Sequence, residues 1–204
     1  MQTILKTSGP EQLGGFKIDR LQNGSRIFYK EALRKATNSK REVIVDRFIL
    51  EYSVKGPNPD FVVKALRNTM QYKHWMLNKT QVTLLNQIDE NSDIIQLEAP
   101  LSVCSFIPVK SRLRLIRSAF FDQTSRSYVV AFNLIRNNSK HLEDLFLFIS
   151  LTQVFDKTCV RIYLESQAKP GFVNRHVSYA AGLEIMRSFC NFKTYVKHLE
   201  VFES

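Results

Sequence analysis

The chain has 204 residues, 44% of them hydrophobic and 24% charged. That is enough for one domain with a substantial core, and it lies outside the range of disordered or collagen-like chains. Its 29 Lys and Arg outnumber its 19 Asp and Glu, and the resulting formal charge of +10 predicts an anionic partner: nucleic acid, a phospholipid surface or an acidic protein. No apolar run approaches the roughly 18 residues of a membrane-spanning helix, and the opening segment lacks the apolar core of a signal peptide. Cys104, Cys159 and Cys190 are too scattered for a disulfide framework or a Cys-x-x-Cys metal knuckle. A soluble protein of a reducing, cytoplasmic compartment is expected.

Residues 1–15 are polar with three glycines and read as a loose N-terminal arm, leaving 16–204 as a single domain. Phe16 to Leu21 and Arg26 to Tyr29 flank Gln22-Asn23-Gly24-Ser25, and an Asn-Gly pair between such runs signals a hairpin. A basic loop follows from Arg34 to Arg41. Lys30, Arg34, Lys35, Lys40 and Arg41 are expected to be solvated there, because nucleic-acid binding would want aromatics interleaved with the charges. Glu42 to Val54 is β-branched and aromatic and reads as one long strand ended by Gly56-Pro57.

Asn58-Pro59-Asp60 opens a helix, and apolar residues recur at helical spacing from Phe61 to Trp75, which carries the predicted helix to about Leu77. Strands are then predicted at Gln81–Ile88, Asp93–Glu98, Arg112–Phe121, Tyr128–Arg136, Leu145–Phe155 and Thr158–Glu165, separated by turn-forming residues such as Asp122-Gln123-Thr124-Ser125. A long amphipathic helix closes the chain from about Phe172 to Leu199, with Ala180-Ala181-Gly182 as a thin spot in its apolar face. The pattern is α+β, a curved antiparallel sheet of about nine strands covered by the terminal helix.

These features, in this order, resemble the START family of steroidogenic acute regulatory protein-related lipid transfer domains, which have the helix-grip fold. Tyr72-Lys73-His74-Trp75 is similar to the basic stretch and Trp that end the family's helix, and Val82 to Pro100 to its next strand pair. Ser111-Arg112 and Ser127-Tyr128-Val129-Val130 match later strand motifs. Lys169-Pro170-Gly171-Phe172-Val173-Asn174-Arg175, leading into Ala180-Ala181-Gly182-Leu183, looks like the family's entry to its C-terminal helix. Met76 stands where the family usually has Asp, and Leu113-Arg114 where it has Asp-Phe. The resemblance covers residues 16 to 199 and implies an internal hydrophobic tunnel between sheet and helix.

The histidines His74, His141, His176 and His198 are dispersed, with no His-Glu-x-x-His, and no Gly-x-Ser-x-Gly elbow or phosphate loop occurs. No catalytic group, metal or cofactor is expected. Alternation places Leu113, Leu115, Arg117, Ala119 and Phe121 on one strand face, so an arginine interrupts an apolar surface and needs a partner. Glu98 is the candidate. The resemblance implies that the two make a polar spot within the tunnel; the alternative is an arginine that snorkels or braces the sheet. Phe48, Leu115, Phe121, Leu183 and Met186 are the expected lining of a tunnel of several hundred Å3.

Pro100 to Lys110 reads as an apolar, proline-bracketed loop, and the resemblance places it at the tunnel mouth. Leu101, Val103, Phe106, Ile107 and Lys110 would then dock on a membrane; the alternative is a loop packed on the core. The resulting expectation is a monomeric, cytoplasmic, peripherally membrane-associated protein that holds one lipid, exchanges it with anionic membranes, and binds no nucleic acid. Two alternatives stand beside it: an enzyme of the related cyclase and hydrolase group using the same cavity, and a ligand-sensing interaction module.

Overall fold

The computed structural model describes residues 15–22, 25–35, 42–77, 79–103, 107–135 and 139–203, with side chains not described at 18–22, 35, 101–111 and 200–203. The expected arm therefore lies outside the described residues apart from Gly15, as do Lys40 and Arg41.

Two meanders join into one sheet. The first is β1 (Lys17–Gln22), β2 (Ser25–Lys35) and β3 (Glu42–Lys55). The second runs β4 (Gln81–Gln87), β5 (Ser92–Val103), β6 (Ile107–Asp122), β7 (Ser127–Leu134), β8 (Leu142–Val154) and β9 (Lys157–Ala168). Strand β9 pairs antiparallel with β3, giving nine strands in the order β1-β2-β3-β9-β8-β7-β6-β5-β4. Gln22 pairs with Ser25, as the hairpin signal requires.

Helix α1 (Pro59–Arg67) begins where expected: Asn58 accepts a hydrogen bond from the Phe61 amide at 2.8 Å and Pro59 occupies the first turn. It is shorter than predicted. Asn68 leaves helical geometry and accepts from the Met70 amide at 3.2 Å, which restarts the chain as a 3-10 helix over Thr69–His74. The apolar spacing survives this break because both pieces bury residues against the same core: Val62, Ala65 and Leu66 from one, Tyr72 and the following Trp75 from the other.

Helix α2 (Phe172–Glu203) lies on the sheet face that carries Phe48, Leu50, Tyr52, Leu115, Leu147, Ile149, Ile162 and Leu164, all buried. Leu183, Met186, Phe189, Cys190, Phe192 and Val196 supply the helix side of that core. The thin spot has a specific use. The Phe48 ring lies over Gly182, so close that a Cβ there would stand 2.4 Å from Cε2.

The segment from Pro100 to Lys110, expected as a loop, is largely strand. β5 and β6 pair from Ser92↔Ser118 out to Val103↔Ile107, and Phe106 lies outside the described residues. Pairing with the neighbouring strand extends both elements past the prolines, which stand opposite Lys110 and Ser102. The basic segment changes in the same way, since β2 carries Lys30, Arg34 and Lys35 as strand residues.

Candidate functional site

On the β3 and β9 side, α2 is fastened down. Besides the Phe48–Gly182 contact, the buried Asp46 accepts hydrogen bonds from the Tyr29 hydroxyl at 2.8 Å and the Ser178 hydroxyl at 3.1 Å, and Ser178 also meets Ser166 at 3.0 Å. Burial raises the Asp46 pKa above the ordinary carboxylate range, against the opposing pull of these two hydrogen bonds and of Arg175. Tyr29, Phe48 and Tyr179 cluster around this point in tilted and edge-on contacts with centroids 5.0 to 5.8 Å apart. The α2 entry is held as well: His141 Nδ1 lies 2.8 Å from Asn174 Oδ1, and Asn174 donates to the Pro170 carbonyl.

Across the helix, toward β5 and β6, small residues leave a cleft. Leu97, Ala99 and Leu113 form its floor, Ala181, Glu184 and Ile185 of α2 its roof, and Met76 and Thr80 its end wall. Its volume is about 30 Å3, room for a water or two. A lipid site needs roughly 300 Å3 or more. Of the lining predicted for a tunnel, Phe48, Leu115, Leu183 and Met186 sit in the solid core between sheet and helix, and Phe121 is 48% exposed, against Tyr128 at 5.0 Å. Among the described residues, Phe48, Leu115, Leu183 and Met186 are packed in the core and expose little surface to a void.

Arg117 is buried on the inner sheet face, as alternation requires, but its partner is Asp93 and not Glu98. Arg117 Nε and Nη2 donate to the two Asp93 oxygens at 3.0 and 2.6 Å, and Nη1 donates to the Leu66 carbonyl at 2.8 Å and the Tyr72 hydroxyl at 3.2 Å. Four of its five N–H donors are thus used inside the protein. The Tyr72 hydroxyl itself donates to the Leu66 carbonyl at 2.6 Å, so the last turn of α1 is capped from the sheet. Register explains the mispairing. Asp93 stands directly opposite Arg117, whereas Glu98 stands opposite Arg112 and is salt-bridged to it at 2.8 Å on the other face. The bracing alternative describes Arg117.

A second polar cluster occupies the sheet face turned away from α2. Glu165, only 8% exposed, is bound by Arg34, by Arg47 Nε at 2.7 Å and by the Tyr163 hydroxyl at 2.9 Å, and Arg34 also donates to Asp144 and Gln167. Burial opposes ionisation of Glu165, but these hydrogen bonds and the two guanidinium charges hold its pKa below the usual carboxylate range. Arg34 belongs to this network rather than to a solvated loop. Burial pushes the Cys190 thiol up to about 11, so at neutral pH it is no nucleophile. Among the described residues no group of His, Cys, Asp and Glu is placed to hold a metal ion, and no helix is long and apolar enough to cross a membrane.

The open end of the sheet carries exposed apolar side chains. Leu33 and Ile44, 64% and 41% exposed, are paired across β2 and β3 one inner-face rung beyond Glu31 and Asp46. Phe172 and Val173, 78% and 51% exposed, begin α2 beside them, because Arg175 is ion-paired to Glu31. The β5–β6 hairpin with Leu101, Val103, Ile107 and Lys110 ends at the same end of the sheet. Sequence reasoning missed Leu33 and Ile44, since a paired apolar rung at a strand end has the same alternation as one in the core. It missed Asp93 because that residue also fits a turn, and Thr80 and Glu184 because one polar residue on a helix or strand flank carries no signal.

No family model and no curated protein matches the sequence. Solved structures match its shape. Human StAR-related lipid transfer protein 5 aligns with a TM-score of 0.63 at 12% identity, over 91% of this chain and 88% of that one. An aromatase/cyclase from Streptomyces sp. R1128 aligns at 0.59 and 11% identity, over 75% and 94%. A STAR-related lipid transfer protein from Xanthomonas axonopodis aligns at 0.55 and 16% identity, over 86% and 98%. The chain has the START-like helix-grip fold.

Proposed function

We propose that this chain is a lipid carrier, which holds one lipid between the sheet and α2 and exchanges it with anionic membranes. The observation that carries the reading is the asymmetry of α2. The helix is fastened along β3 and β9 by Phe48, Asp46 and Ser178, whereas toward β5 and β6 it packs lightly and borders a small cleft lined almost entirely by apolar side chains. A helix hinged along one flank can swing from the other. At about 30 Å3 the cleft is the closed form, and loading separates α2 from Ala99 and Leu113. Each methylene then buried contributes about 0.8 kcal/mol, so a long alkyl chain offsets the loss of the closed contacts. No bond is made or broken in this cycle.

The membrane face is the end where Leu33, Ile44, Phe172 and Val173 are exposed, and the net charge of +10 favours an anionic surface. The fold is shared with StAR-related lipid transfer proteins and with an aromatase/cyclase, and the apolar lining favours the former.

The test locks the helix. Ala99→Cys with Ala181→Cys, oxidised, ties β5 to α2 across the cleft where the two alanines pack together. Lipid transfer between vesicles should stop on oxidation and return with dithiothreitol, and mass spectrometry of the purified protein should find lipid in the unlocked form only. A purified protein that carries and transfers no lipid in either state overturns the proposal.

A further inference from the structure

We infer that β4 is a self-association edge: two copies of this chain pair antiparallel through it, about a two-fold axis between Leu84 and Leu85. The protein is then a weak dimer in place of the expected monomer. The inference is independent of the carrier reading.

β1 and β4 are the two edges of the sheet, and an edge strand presents backbone N–H and C=O groups that another strand can join. Charge is a common protection against that. β1 carries it, with Lys17, Asp19 and Arg20 among its six residues. β4, which reads Gln81-Val82-Thr83-Leu84-Leu85-Asn86-Gln87, carries none, in a chain whose net charge is +10. It has no proline either. Six of its seven residues are exposed, Leu84 and Leu85 among them, and Ile88 is exposed just beyond its end. A surface this basic repels its own copy, and of the two edges β4 is the one free of that repulsion.

The strand fits a second copy of itself in particular. Its ladder to β5 skips Leu85, since Leu84 stands opposite Ile95 and Asn86 opposite Ile94. This bulge shifts the alternation by one residue. Val82 and Gln87, across from Leu97 and Asp93, therefore lie on the face toward α2, while Thr83 and Asn86, across from Gln96 and Ile94, lie on the other. An antiparallel copy turned about an axis between Leu84 and Leu85 sets Val82 against Gln87 and Thr83 against Asn86. Each of these rungs joins residues of the same face, and the bulge of one copy meets that of the other, leucine against leucine. The charges at the strand's ends agree. Lys79 precedes β4, Asp89 and Glu90 follow it, and all three are exposed. Antiparallel pairing brings Lys79 of each copy to the Glu90 end of the other, whereas parallel pairing would set like charge against like. One strand per copy is a small contact for a specific interface, so association at roughly 10 to 100 μM is expected.

Sedimentation equilibrium of the full chain at low ionic strength, from about 1 to 300 μM, should show a reversible equilibrium between monomer and dimer. Leu85→Lys places two like charges at the axis and should weaken association at least about tenfold while leaving the melting temperature unchanged. Charge reversal tests the direction of pairing. Lys79→Glu and Glu90→Lys should each associate more weakly than wild type, because each sets like charges together at both ends of the paired strands. An equimolar mixture of these two variants should recover association, since both ends then join opposite charges. Both positions are exposed, and they carry the test if Leu85→Lys does not fold. A wild type that stays monomeric throughout, a dimer that Leu85→Lys leaves intact, or a mixture that associates no better than its parts overturns the inference. The carrier reading, tested by the locked helix, is unaffected by any of these results.

Discussion

The Phe48 ring of β3 packs against Gly182 of α2 and leaves no room there for a Cβ, with Phe48 fully buried. Alanine in place of a helical glycine ordinarily stabilises by about 1 kcal/mol. Here the new methyl would meet a ring with nowhere to go, and overpacking costs about 1–3 kcal/mol. Gly182→Ala is expected to lower stability in urea denaturation, and Phe48→Leu in the same chain to restore part of the loss. A rise of Tm in the single variant would show that the ring does not hold the helix.

Arg117 and Asp93 form a buried pair, each 4% exposed or less, that also caps α1 through the Leu66 carbonyl. Arg117→Met leaves a carboxylate without its partner and is expected to cost about 3–5 kcal/mol. Arg117→Met with Asp93→Leu removes both charges, and Tyr72 still donates to Leu66, so most of the stability should return. Lipid transfer between vesicles by the double variant should equal that of wild type. A refolded double variant that has lost its lipid would return Arg117 to the ligand site.

The strands, the opening hairpin and the closing helix were legible because each carries a local signal: alternation, an Asn-Gly turn, or a 3.6-residue stripe. Strand ends were not, since β5 and β6 continue past Pro100 and Pro108 only because each has the other to pair with. The break at Asn68 was hidden because the apolar spacing carries through it. For Arg117, alternation identified the buried face correctly, but the partner depends on register. In the β5–β6 ladder odd residues oppose odd, so Glu98 was on the wrong face from the outset. The cleft depends on which helix turn meets which strand, and no periodicity encodes that.

Leu33 and Ile44 face solvent at the end of the sheet that the carrier reading turns to the membrane. Leu33→Ser with Ile44→Ser should change stability by less than about 0.5 kcal/mol, as exposed substitutions do. Binding to vesicles containing phosphatidylserine should fall roughly tenfold, given what partial burial of two aliphatic side chains contributes. Added salt should weaken the wild type further. Unchanged cosedimentation would move the docking face elsewhere.

Phe155 begins the two-residue β8–β9 turn with φ 53° and is 94% exposed. A bulky side chain in the left-handed region costs about 1–2 kcal/mol, and this ring recovers little of it from packing. Phe155→Gly gives back part of that gain through its own backbone entropy, leaving a net stabilisation of roughly 0.5–1 kcal/mol. Thermal melting should show the increase. A loss of stability would mean that the ring makes a contact which the exposed turn does not reveal.

Asp46 supplies a pH dependence whose sign is opposite to that of Glu165. Burial raises the Asp46 pKa, so the native state holds this proton more tightly than the unfolded chain does. Its contribution to stability is therefore complete below the unfolded value of about 3.9 and is lost as pH rises through the native value. Glu165, whose pKa is lowered in the fold, contributes above the unfolded value and loses that contribution as pH falls through the native one. Asp46→Asn keeps an acceptor for Tyr29 and offers an amide donor to Ser178, while removing the charge that burial disfavours. The difference in urea-unfolding free energy between variant and wild type cancels Glu165, which both share. It should favour the Asn variant at pH 7 and shrink toward zero at pH 3. An Asn variant that is less stable than wild type at pH 7 and equal to it at pH 3 would mean that the hydrogen bonds from Tyr29 and Ser178 to the ionised carboxylate outweigh its burial, so that Asp46 clasps α2 as a charged group.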